Sequence, residues 1–200
     1  MAPQANESDG PAGDPARHLS LHELQQRLAG LPPAPTEHGV LRLIVRRGAD
    51  GTRESLARAT LTPEQGLPGD RWGREAARVM DEQLTVMRCE VAELIANGQP
   101  LTTFGDNLFV ELDLAATNLP AGTRLRVGQA LLEMTPEPHE GCRKFKGRFG
   151  QDALRFVSGQ ANRGQNLRGV YWKVIEAGEV AVGDPIELLS RPAGVSSGAT

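Results

Sequence analysis

Leu125-Arg126-Val127-Gly128-Gln129-Ala130-Leu131-Leu132-Glu133-Met134 places two short apolar runs on either side of a glycine turn. Leu125–Val127 and Leu131–Met134 read as strands, and Gly128-Gln129 supplies the bend between them. The device recurs near the carboxy terminus, where Ala181-Val182-Gly183-Asp184 precedes Ile186. The echo is too short to mark a duplication, and reuse of one hairpin turn explains it. Further short apolar runs, Phe109–Leu112, Val170–Ile175, Val180–Val182 and Ile186–Leu189, are separated by Gly, Pro, Asn or Asp. Many short strands at close spacing predict a barrel or a sandwich.

Upstream, Leu41–Val45, the turn Gly48-Ala49-Asp50-Gly51 and the run Glu54–Leu61 predict a hairpin. Leu84–Met87 reads as a strand and Glu90–Ala96 as a short helix closed by Asn97-Gly98. Ser20-Leu21-His22-Glu23 has the capping-box spacing, and Leu21, Leu24, Leu28 and Leu31 recur at helical intervals until Pro32-Pro33. That stripe is a packing surface for a helix over about residues 20–30. A helix is also expected over Asp152–Val157, with Phe145, Phe149 and Phe156 directed to the core. The fold class is therefore mainly β with short helices, α+β. The expected organisation is a flexible extension over 1–37 carrying the short helix, one domain over 38–190, and a loose tail over 191–200.

The chain has 200 residues, 39% apolar and 24% charged, with a net charge of −3. No apolar run approaches the ~20 residues that span a bilayer, so no membrane partner is expected. The amino terminus carries acids and no cationic start before an apolar stretch, unlike a secretory signal. Two cysteines, Cys89 and Cys142, make no disulfide framework, and the cytoplasm is the expected compartment. Charge is unevenly spread. Seven cations (Arg143, Lys144, Lys146, Arg148, Arg155, Arg163, Arg168) face two acids (Glu140, Asp152) between His139 and Val170. That excess suits an anionic small molecule. Nucleic acid is disfavoured, because the interleaved phenylalanines read as core rather than as stacking platforms.

The chemistry concentrates in Pro136-Glu137-Pro138-His139-Glu140-Gly141-Cys142-Arg143-Lys144-Phe145. Cations beside a thiol favour the thiolate, the form that attacks electrophiles and binds soft metals. Buried apolar packing is the ordinary fate of a free cysteine, but the prolines, Gly141 and the adjacent cations argue for an open turn at Cys142. Cys142 is thus a candidate nucleophile or metal ligand. His139 is a candidate to deprotonate it or to cap the turn. A zinc site on His139, Cys142 and Cys89 is weak, since structural zinc takes four ligands, usually in paired short spacings.

Several blocks taken together resemble the MOSC domain, named for the carboxy-terminal domain of molybdenum-cofactor sulfurase. They are Gly69-Asp70-Arg71, Gly105-Asp106-Asn107-Leu108, the Leu-x-x-Gly-x-x-Leu-x-Val-Gly pattern from Leu119 to Gly128, Cys142-x-Lys144-Phe145, Arg168-Gly169-Val170-Tyr171, and Gly178 to Asp184. Their order spans roughly residues 38–190. Two departures stand out: Gly141 where many relatives have Pro, and Gly-Asp-Asn where the family has Gly-Glu-Asn.

The resemblance implies a MOSC-type β-barrel with a cysteine at the ligand site, which here falls on Cys142. It implies molybdenum cofactor (molybdopterin) as ligand, with Cys142 ligating molybdenum or carrying sulfur. The implied activities are reduction of N-hydroxylated compounds or sulfur transfer, with a non-catalytic delivery module as the alternative. Arg143, Lys144, Arg163 and Arg168 would neutralise the ligand's anionic groups, and Asp70, Arg71 and Asn107 would line the same pocket. A structural turn held by Asp70 is an equal alternative for Asp70 and Arg71. Gly169, Gly178, Gly183 and Asp184 are assigned to turns. The chain shows no cluster-type cysteine set and no nucleotide loop, so an electron-donor or sulfur-donor protein is an implied partner. Pyridoxal phosphate is not expected.

Overall fold

The computed structural model describes residues 10–192; expectations for residues 1–9 and 193–200 lie outside the described residues. Its centre is a β-barrel of seven strands: β1 (His38–Arg47), β4 (Leu84–Arg88), β5 (Leu108–Glu111), β6 (Arg124–Val127), β7 (Ala130–Met134), β8 (Val170–Glu176) and β10 (Pro185–Ser190). Pairing runs β1-β10-β6-β7-β8-β4-β5 and returns to β1, so the ring has no free edge. Of the barrel and sandwich options, the chain takes the barrel.

Alternation in the sequence decides which side chains enter. In β8, Val170, Trp172 and Val174 are buried while Tyr171, Lys173 and Ile175 are only partly so, the period of two that a one-sided strand requires. Inside the barrel these residues meet Leu41, Ile44, Leu84, Val86, Leu125, Leu132 and Ile186. The two echoing turns behave alike. Gly128 and Gly183 both hold positive φ, 53° and 95°, and Asp184 accepts a hydrogen bond from the Ala181 amide at 2.7 Å.

One expected hairpin is redirected. β2 (Arg53–Leu56) pairs with β1 from Arg47↔Arg53 to Ile44↔Leu56, but the run does not continue on β1. At Ala57 its carbonyl accepts from Val182 N at 2.9 Å, and β3 (Arg58–Leu61) pairs with β9 (Gly178–Ala181) in a separate two-stranded sheet.

A second core lies outside the barrel. β4 and β5 are parallel neighbours, so the chain between them must cross over. It does so through α3 (Cys89–Ala96), which ends at Asn97 in the left-handed region. On α3 packs α1 (Leu21–Ala29), which also meets α5 (Gln151–Ser158), and α5 in turn packs on α4 (Arg143–Phe149), so that one cluster buries Leu24, Phe104, Phe109, Phe145, Phe149 and Phe156. Phe104 stacks on Phe149 with centroids 4.0 Å apart. α1 begins with the expected capping box, Ser20 and Glu23 each satisfying the other's backbone amide.

Part of the stretch expected to be loose carries defined contacts. Pro15–Arg17 form a 3-10 turn capped by Asp14, Arg148 Nε donates to Pro11 O at 3.2 Å, and His18 Nε2 lies 3.1 Å from Arg148 O. A Cβ on Gly13 would overlap the Arg148 backbone, so the glycine lets residues 10–13 lie directly on α4.

Candidate functional site

Cys142 stands at the entrance to α4 as its N-cap residue, with an exposed side chain that caps nothing. Two features of the sequence put it there. Gly141 packs so closely on Leu154 that a Cβ would overlap it, which pins the turn to α5. Beyond the thiol, buried Phe145 and Phe149 anchor α4 into the helical core. The thiol is thus held outward by burial of its neighbours. Cys89 is the opposite case: it is buried in α3, and burial together with Glu93 pushes its thiol up to about 12.

Hollows lie on both sides of the cysteine. One, of about 490 Å³, is lined by His139, Glu140, Gly141, Ser158, Arg163 and Arg168 among others. The other, of about 350 Å³, is lined by Gly10–Gly13 together with Arg143, Lys144, Gly147 and Arg148. Residues 141 and 143 each face a different hollow, so Cys142 forms the ridge between them. The four cations expected to act together are therefore divided: Arg163 and Arg168 on one side, Arg143 and Lys144 on the other.

Arg168 is not an open charge. Its Nη1 donates to both oxygens of Asp106, at 3.0 and 2.9 Å, and its guanidinium lies 5.1 Å from the Phe145 ring centroid. Asp106 is fully buried and Arg168 is 8% exposed. Arg168 Nε has no hydrogen-bond partner. His139 lies against the same carboxylate, Nδ1 3.7 Å from Asp106 Oδ1, with its ring 4.5 Å from that of Tyr171. Burial, then the Arg168 and Arg47 charges, holds the His139 imidazole well below the ordinary histidine range, so it is neutral. No hydrogen bond joins His139 to the Cys142 thiol among the described residues.

Three other expected residues sit apart from these hollows. Asp70 is 1% exposed. It caps α2 (Arg71–Arg74) by accepting from Trp72 N at 3.1 Å and binds Arg47 through the backbone amide at 2.7 Å and the guanidinium at 2.5 Å. Burial alone would raise its carboxyl, but the Arg47 bonds outweigh that and hold it below the usual carboxylate range. The structural-turn reading of Asp70 is the one its contacts support. Arg71 pairs with Glu75 at 3.1 Å. Asn107 is fully buried in the barrel wall, accepting from Thr85 Oγ1 at 2.9 Å and donating to Val45 O at 3.2 Å, so it ties strands together and cannot line a pocket.

Several site residues were not read from the sequence: Asp106 as a partner, Arg47, Tyr171 and Arg53. Arg53 and Arg148 both close on Gly10. Burial and then the Arg148 charge lower the Arg53 guanidinium pKa, and Arg53 Nε has no partner. The cationic character of the smaller hollow thus extends past Arg143 and Lys144. Among the described residues no three His, Cys, Asp or Glu side chains gather as a metal site.

A family model described as MOSC domain matches residues 84–187, more than half of the chain. The chain belongs to the MOSC domain family. The match runs from β4 into β10 and includes Cys142, the lining of the larger hollow and the Asp106–Arg168 pair, while the Gly10–Gly13 wall of the smaller hollow lies outside it. Solved structures agree on the barrel. A hypothetical protein is 25% identical with a TM-score of 0.55, covering 78% of this chain and 70% of its own. YiiM from Escherichia coli is 23% identical with a TM-score of 0.53 over 76% and 70%, and the YuaD protein from Bacillus subtilis is 17% identical with a TM-score of 0.54 over 77% and 97%. No curated protein matches the chain. Among the described residues, no helix of the MOSC chain is long and apolar enough to cross a membrane.

Proposed function

We infer that this MOSC chain holds molybdenum cofactor, or a transferable sulfur, on the Cys142 thiol. The observation that supports it most strongly is an exposed, uncapped thiol on a ridge between two hollows, one of them walled by cations. The donor set fits the group. With no all-protein metal cluster among the described residues, a metal here takes one soft thiolate and must bring its remaining ligands with it, as a pterin dithiolene does. Arg143 and Lys144 would hold an anionic phosphate on the side of the smaller hollow. Arg168 contributes less charge than the sequence implied, because Asp106 neutralises it.

When bound, the cofactor supplies a centre that passes electron pairs to or from a substrate. This chain's residues hold the thiol outward through Phe145 and Phe149, position the anionic part on α4, and keep a neutral imidazole at His139. Reduction of an N-hydroxylated compound is the reductase form of this reading, with electrons from a partner protein in the reducing cytoplasm. A carrier that hands sulfur or cofactor to a partner is the second form, favoured by the openness of Cys142. The test is protection of the thiol. Cofactor released from a donor protein and added to the purified chain should slow alkylation of Cys142 by iodoacetamide, and Arg143→Ala with Lys144→Ala should weaken that protection. Unchanged alkylation in the presence of cofactor would overturn the assignment.

A further inference from the structure

Gly10-Pro11-Ala12-Gly13 forms one face of the 350 Å³ hollow, and α4 forms the other through Arg143, Lys144, Gly147 and Arg148. The family match begins at residue 84, so this first face comes from outside it. Both faces carry little side chain. Ala12 adds one carbon to the backbone, and Gly147 lies inside α4, where a glycine weakens the helix. Nothing lies within 4 Å of a Cβ placed on Gly147. Packing therefore does not require that glycine, whereas an open hollow does.

The strap meets α4 through its backbone. A Cβ on Gly13 would come within 2.0 Å of the Arg148 carbonyl oxygen and 2.4 Å of its Cα, Pro11 O accepts from Arg148 Nε at 3.2 Å, and Gly10 holds a φ of 76° beside the Arg53 guanidinium. None of the four residues is buried. The chain just after them is fastened by side chains: Asp14 N donates to Gln99 Oε1 at 2.8 Å, the Asp14 carboxylate caps the next turn, and Arg17 O accepts from Asn97 Nδ2 at 3.0 Å. Leu19 then enters the helical core. A segment that buries no apolar surface opens at far lower free energy than one tied into a core. The boundary between the two falls at Gly13, where the backbone has the freedom a hinge needs.

We propose that Gly10–Gly13 is a hinged clasp for a phosphate-bearing ligand: it swings about Gly13 to admit the anion to Arg143 and Lys144, and it closes against α4 to retain it. The clasp rests on the reading that the anionic end of the ligand seats in this hollow, and it adds a control over entry and release that Cys142 does not supply. Its small residues leave room for the anion beneath the closed strap. Closure also shields the ion pairs from water, which strengthens them.

Phenyl phosphate is the probe, with a nitroxide on the exposed position Ala12→Cys in the full chain carrying Cys142→Ser, where buried Cys89 escapes labelling. Phenyl phosphate should immobilise the label saturably, and phosphorus-31 line shapes should give its rate of release. Gly13→Ala drives a Cβ into the Arg148 backbone, and Gly10→Ala independently forces a side chain into the left-handed region beside Arg53. Each should loosen the label without probe and weaken phenyl phosphate binding about tenfold through faster release, although every cation is kept. Arg143→Ala with Lys144→Ala should abolish binding. Binding that needs Arg143 and Lys144 but leaves the label unmoved, or that both glycine variants leave unchanged, would overturn the clasp and leave the anion seat standing. Absence of binding, or binding indifferent to Arg143 and Lys144, would overturn the seat and the clasp with it.

Discussion

Removing the Asp106 carboxylate should cost this barrel a large part of its stability. Asp106 is fully buried and gives both oxygens to Arg168, which is 8% exposed. Among the described residues no second carboxylate pairs with Arg168. Asp106→Ala therefore strands a guanidinium in the interior, and breaking one side of a buried pair costs about 3–5 kcal/mol. A domain of this size is stable by roughly 5–15 kcal/mol, so the loss is severe without being fatal in every case. In urea, with a slope of about 2 kcal/mol per molar, the midpoint should fall by about 2 M. The double variant Asp106→Leu with Arg168→Met should recover most of the deficit, because replacing a buried pair by hydrophobic groups of similar volume is often near neutral. A midpoint shift equivalent to less than about 1 kcal/mol, or a double variant less stable than Asp106→Ala, would refute the reasoning.

The two thiols should separate cleanly: in the native chain a thiol reagent labels Cys142, which is exposed, and spares Cys89, which is buried with its thiol pushed up to about 12. Labelling followed by peptide mass mapping checks this, and fast native modification of Cys89 would contradict it. For Asp70 the sign is fixed by its lowered carboxyl in the folded state. Its ionised form stabilises the fold fully above the unfolded value of about 3.9, and that contribution is lost as pH falls through the lower folded value. Asp70→Asn should be less stable at neutral pH and should lose less on acidification below about pH 4, measured as unfolding midpoints against pH.

Strands were legible because their physics is local. Leu125–Val127, Leu131–Met134 and Val170–Ile175 declared themselves by alternation and glycine turns, and the structure places β6, β7 and β8 within a residue of those bounds. The second half of the first hairpin was not legible. Nothing within Glu54–Leu61 marks Ala57 as the point where the chain leaves β1, because that exchange is decided by β9, more than a hundred residues away. The site shows the same division. Cys142 stood out through its own neighbours, whereas Asp106 meets Arg168 across 62 residues and His139 across the barrel end. A count of nearby cations could not reveal that one of them is already neutralised. The Gly-Asp-Asn departure falls on the residue that makes that pairing, and Gly141, another departure, lies against the end of the Leu154 side chain, which would have to shift for a Cβ.

The central claim, that the Cys142 sulfur is the atom to which the cofactor or sulfur attaches, is tested most directly by the content of the isolated protein. Chains produced in a host that makes molybdenum cofactor should carry molybdenum or labile sulfur, Cys142→Ser should lose it, and Cys89→Ser should keep it. Equal loss in the two variants, or no bound molybdenum or sulfur in any of the three proteins, would contradict the account.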